Sequence, residues 1–152
     1  MIERYSREVL KSIWSDFNKY SLWLKIEIAA AEAMEKYKII PKGVSKKVRR
    51  KAKINTKRFL EIEKKVKHDV IAFLTSITEK VGKEAKYLHK GMTSSDVLDT
   101  CFNLQLKQSG EILVKDLDKE EFENLWTKLH WVYNEELNYV EVGEEILEES
   151  SY

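Results

Sequence analysis

Residues 15–34 read SDFNKYSLWLKIEIAAAEAM, and this stretch decides the fold class. Within it Phe17, Tyr20, Leu24, Ile28, Ala31 and Met34 recur at spacings of three and four, the apolar stripe of an α-helix. Ser15 is placed to cap that helix, because its side-chain oxygen can accept a backbone N–H that the first turn leaves unpaired. Asp16 suits the positive end of the helix dipole. The run Ala29-Ala30-Ala31 lets a second helix approach closely. Ile39-Ile40-Pro41 ends the pattern, and Pro41 fits the first position of a following short helix.

The same period continues outward. Lys42–Lys53 reads as a short basic helix, and Asn55 as the cap of a helix carrying Phe59, Leu60 and Ile62. Asp69 reads as the cap of a helix with Val70, Phe73, Leu74 and Ile77, stopped at Gly82. His89 to Asp96 breaks the pattern; Gly91 with Thr93, Ser94 and Ser95 suits a turn that ends in a cap. Val97, Cys101, Leu104, Ile112 and Leu113 then resume it, and Leu125, Trp126, Leu129, Val132, Tyr133 and Leu137 repeat it between Phe122 and Leu147. One Pro and five Gly in 152 residues leave little turn chemistry for a sheet. The reading is an all-α protein with polar loops near residues 65–69 and 89–95.

Charge is unevenly placed. Lys36 to Lys67 holds 14 Lys/Arg against 2 Asp/Glu, a balance of +12; Asp116 to Tyr152 holds 2 Lys against 12 Asp/Glu, a balance of −10. Two readings stand: a basic arm for a polyanion, or oppositely charged solvated helix faces, which the apolar alternation within the basic run favours. The single cysteine, Cys101, cannot close an internal disulfide; its apolar neighbours Val97, Leu98, Phe102 and Leu104 favour a buried thiol over a nucleophile. No stretch approaches the roughly 20 apolar residues of a membrane span, and the N-terminus carries no signal-peptide pattern. The expectation is a soluble cytoplasmic protein.

Of the three histidines, His68 and His89 stand just before helix starts, and His130 falls within a helical pattern, where a satisfied or solvent-facing ring is the default. Free N–H groups, a dipole end, Thr93-Ser94-Ser95 hydroxyls and an imidazole together suit a phosphate or carboxylate. Plain capping explains the same residues. A metal reading lacks a thiolate or carboxylate set at ligand spacing. Asp96 and Asp99 read as dipole partners of the helix that follows.

Arg4-Tyr5, Lys67-His68-Asp69-Val70-Ile71-Ala72-Phe73-Leu74 and Gly91-Met92-Thr93-Ser94-Ser95-Asp96-Val97-Leu98-Asp99-Thr100 resemble the adenylosuccinate lyase family, within the fumarase/aspartase/argininosuccinate lyase superfamily. The likeness runs from Met1 to about Lys119. It implies the superfamily's N-terminal helical domain over 1–93, the start of its long-helix bundle over 94–147, and a frayed tail over 148–152. It also implies a cofactor-free, metal-free β-elimination that releases fumarate from adenylosuccinate to leave AMP, and from a succinyl-carboxamide ribotide, in purine synthesis. By this resemblance Arg4 and Tyr5 are nucleotide contacts, and Lys67, His68 and Asp69 line the substrate, with His68 assisting the catalytic acid. His89 stands near the substrate phosphate, and Thr93 and Ser94 bind the succinyl carboxylates. The family's homotetramers build each site from three subunits, so self-association is expected.

Two family segments are missing: a Thr-His-Gly type loop with the general-acid histidine, and a Gly-Ser-Ser loop with the serine base. Leu129 to Glu136 faintly resembles the family helix after the first of these, which implies a deletion near Glu120–Asn124; an unrelated or frameshifted tail is the other reading. The expectation is a truncated lyase-like chain with little activity alone. The rival is a helical module that binds itself or an intact lyase without catalysis. Nucleic acid and membrane partners are not expected.

Overall fold

The computed structural model describes residues 6–117. Among them are α1 (Glu8–Ile13), α2 (Asp16–Lys36), α3 (Val44–Lys51), α4 (Thr56–Val66), α5 (Asp69–Val81), a 3₁₀ segment (Lys83–Tyr87) and α6 (Ser94–Leu117). No strand occurs among the described residues, so the fold is all-α as read. Arg4, Tyr5, His130 and the pattern over 122–147 lie outside them. The chain divides into two compact units, Met1–Ser109 and Gly110–Tyr152.

Local chemistry starts and stops the helices. Ser15 accepts the Asn18 N–H at 3.2 Å and Asn55 accepts the Arg58 N–H at 3.0 Å, which caps α2 and α4 as expected. Gly82, at φ 82°, ends α5. Two expectations are corrected. The cap of α5 is His68, not Asp69: His68 has the extended backbone of a cap, and Asp69 is already the first helical residue. Pro41 does not open α3. That helix begins at Val44 behind a left-handed Gly43, because the Glu35 carboxylate reaches across from α2 to accept the Gly43 and Ser45 N–H groups at 2.9 and 2.6 Å.

The core of the first unit gathers around α2. Trp23 is wholly buried; its ring meets Phe73 of α5 edge-on at 5.4 Å, and Tyr20 lies 4.3 Å from Phe59 of α4. Val48, Ile62, Val70, Ile77, Val81, Val97 and Cys101 belong to the same cluster. Close-packed aromatic pairs of this kind add to the gain from burial. The buried side of α2 is Tyr20, Leu22, Trp23, Glu27, Ile28 and Ala31, so the stripe is rotated from the one read. Phe17, expected inside, is 63% exposed. In α6 the buried positions are Val97, Cys101 and Gln105, whereas Phe102 and Leu104 face outward.

Polar contacts tie α6 to the α1–α2 corner. The Ile13 carbonyl, left unpaired where α1 ends, accepts from Asn18 Nδ2 at 2.7 Å and Gln105 Nε2 at 2.8 Å. The Trp14 indole donates to Ser109 at 3.1 Å. Part of the basic run is matched by acids of neighbouring elements, Lys47 with Glu84, Arg49 with Glu32 and Arg58 with Glu79, and Arg58 also pairs with Glu61 on its own helix. Exposed pairs of this sort contribute little stability each, which is the behaviour of solvated faces.

Glu35 carries a pH signature. The Ser45 and Gly43 N–H groups hold its carboxyl below the ordinary carboxylate range. A lowered folded-state pKa contributes stability above the unfolded pKa, and that contribution disappears as pH falls through the folded value. Glu35→Gln keeps one acceptor oxygen for two donors and is expected to cost about 1 kcal/mol at neutral pH, by analogy with lost helix caps. Urea unfolding of both proteins from pH 7 to pH 3 checks this; the gap should close on acidification.

Candidate functional site

The expected site residues occupy two turns. The first joins α4 to α5. Lys67 closes α4 in the left-handed region, at φ 56°, and is exposed. His68 Nδ1 stands 3.4 Å from the Ile71 N–H, a long hydrogen bond that caps α5. Asp69 Oδ1 accepts the Val70 N–H at 2.7 Å and lies 3.6 Å from His68 Nδ1. His68 therefore faces solvent with Nδ1 turned to its own helix.

The second turn joins the 3₁₀ segment to α6. Left-handed His89, at φ 58°, and Gly91, at φ 72°, shape it, and the Met92 N–H closes it onto the His89 carbonyl at 3.4 Å. Thr93 and Asp96 then form a reciprocal capping box. The Thr93 N–H donates to Asp96 Oδ2 at 2.7 Å, and the Asp96 N–H reaches Thr93 Oγ1 at 3.4 Å. Ser94 is the first residue of α6 and is half-buried. The dipole role expected of Asp96 is thus realised as a cap.

One residue that the sequence reading missed organises this turn. Glu27, in the middle of α2, has a side chain with 0% exposure. Its Oε2 accepts the His89 N–H and its Oε1 meets His89 Nδ1, both at 2.7 Å. A carboxylate taken out of water is costly unless it is hydrogen-bonded, and His89 supplies a contact to each oxygen. The signal was present in Ile26-Glu27-Ile28-Ala29: a single acid set directly between apolar residues.

The two turns sit at different levels of α2. Tyr20 packs near Phe73, one turn into α5, whereas Glu27 holds His89 seven residues further on, about 10 Å along the axis. Each turn offers a helix start with a histidine beside it. Cys101 is no nucleophile candidate: burial, the largest cause, pushes its thiol up, against smaller opposing effects of Trp23 and Lys19. Among the described residues no group of three or more His, Cys, Asp or Glu is placed to hold a metal ion, and no helix is long and apolar enough to cross a membrane.

With this geometry in hand, the likeness to known proteins is clear. A crystal structure of a fumarate lyase from Mesorhizobium sp. BNC1 superposes with a TM-score of 0.59 over 68% of this chain and 26% of that one, at 24% identity. This all-α chain therefore shares the fold of the matched part of that structure. An adenylosuccinate lyase of Staphylococcus saprophyticus is 47% identical over 119 residues, which is 78% of this chain and 28% of the relative. Over these residues the chain is homologous to that adenylosuccinate lyase, and it spans little more than a quarter of that relative's length. No protein-family profile matches it.

The capping box gives a direct test of how the second turn is held. Thr93→Ala should cost about 1 kcal/mol and speed amide exchange in the first turn of α6, whereas Thr93→Ser should cost a few tenths. Equal effects of the two substitutions in thermal unfolding would show that the hydroxyl is not the cap.

Proposed function

We propose that this chain supplies one portion of a site that cleaves adenylosuccinate by β-elimination to fumarate and AMP. In such a reaction a base removes a proton beside a carboxylate, an acid protonates the departing nitrogen, and positioned donors hold the developing negative charge. The 47% identity to an adenylosuccinate lyase carries the reading. The two helix starts support it, because a positive dipole end with hydroxyls and a histidine beside it suits an anionic substrate. In this reading Arg4 and Tyr5 contact the nucleotide, and Lys67, His68 and Asp69 line the substrate. His89 meets the phosphate, and Thr93 and Ser94 take the carboxylates. The two levels of α2 then belong to different sites of an assembly in which several copies complete each pocket, with α6 as the first helix of the shared bundle.

By itself the 152-residue chain contains neither a Thr-His-Gly loop nor a Gly-Ser-Ser loop, so it binds more readily than it turns over. A second reading, a helical module for self-association or lyase binding, is favoured by one observation: Trp14, Phe17, Phe102 and Leu106 are exposed, with Trp14 and Phe102 paired edge-on at 6.0 Å.

Incubating the purified chain with adenylosuccinate should release no fumarate above background, while calorimetry should detect AMP binding that His68→Ala or Ser94→Ala weakens. Robust turnover would sink the claim of inactivity. Absence of AMP binding, with a defined oligomer in light scattering, would favour the second reading.

A further inference from the structure

We infer that Glu27 is a positioning residue for His89: from inside the core it keeps a proton on Nδ1 and leaves Nε2 as the ring nitrogen that meets a ligand. The orientation half of this stands on geometry alone; the ligand half rests on the substrate-site reading above.

Three observations carry it. Both Glu27 oxygens are committed to His89, one to its backbone N–H and one to its ring, at 2.7 Å each. The carboxylate is fully buried, and among the described residues its hydrogen bonds come from His89, so the ring contact has to be a donor if Glu27 is ionised. The imidazole is 16% exposed, so one edge of the ring remains open. A carboxylate behind the ring fixes the tautomer in this way and offsets the charge when a solvent proton joins Nε2 beside an anionic oxygen. His68 is the opposite case. Its Nδ1 accepts the Ile71 N–H, so its proton resides on Nε2. The two histidines, one at each turn, are thus set as opposite tautomers.

Ring ¹⁵N–¹H correlation spectra of the intact, ligand-free chain test this across the neutral-to-alkaline range. His68→Asn and His89→Asn assign the signals, and Asn accepts the left-handed backbone at position 89. The expected result is a protonated Nδ1 for His89 and an unprotonated Nδ1 for His68.

Glu27→Gln then inverts His89. The amide oxygen must serve the backbone N–H, so the NH₂ faces Nδ1, and the ring proton moves to Nε2. AMP should bind that variant about tenfold more weakly, because a neutral donor replaces a charge-assisted one. An unprotonated Nδ1 on His89 in the unsubstituted chain overturns the proposal and does not depend on Glu27→Gln folding. So does a folded Glu27→Gln chain whose His89 tautomer is unchanged. If the tautomers are as stated but AMP moves neither ring, the positioning role stands and the substrate-site reading falls.

Discussion

A carboxylate buried in the middle of a long helix constrains everything near it. Glu27 lies on the same side of α2 as Trp23 and Ala31, both wholly buried, and no water reaches it. Its oxygens have to be satisfied from another part of the chain, and the partner comes from sixty-two residues away in sequence. To deliver both a backbone N–H and a ring nitrogen to one carboxylate, His89 takes a left-handed conformation. The turn that follows, with Gly91 also at positive φ, carries the chain to Thr93, where α6 begins. The start of α6 therefore depends on an interaction that neither α2 nor α6 makes evident alone.

Glu35 plays a related part eight residues along the same helix. It accepts two N–H groups at the start of α3, so α2 dictates where α3 begins as well as where the 88–93 turn sits. Both acids act from a central helix on elements far from it in sequence. The aromatic cluster of Tyr20, Trp23, Phe59 and Phe73 gives that helix a fixed rotation, without which neither carboxylate would be aimed.

This division also explains which features were legible in the sequence. Ser15, Asn55 and Gly82 act on residues within four positions of themselves, and a reading of local chemistry found them. The cap of α5 was displaced by one residue, because Asp69 is the commoner cap type and an imidazole Nδ1 is an unusual acceptor there. Pro41 was misread because the competing instruction, from Glu35, is not local. Glu27 was passed over because a lone charge in a helical pattern is taken to face water, and Phe17 was drawn inside for the converse reason. The 3₁₀ segment Lys83–Tyr87 has too few apolar residues to show a period. The residues that carry most of the family likeness were readable because they form two short contiguous segments, whereas the acid that holds one of the turns in place lies far upstream.

Cys101 gives the fold a built-in reporter. It is the single thiol of the chain, it is buried between α6 and the Lys19 region of α2, and burial raises the pH at which it becomes a thiolate. A thiol so placed reacts with an alkylating reagent only when α6 lifts from the core. Its labelling rate therefore measures the free energy of that opening, residue-specifically and without any engineered probe.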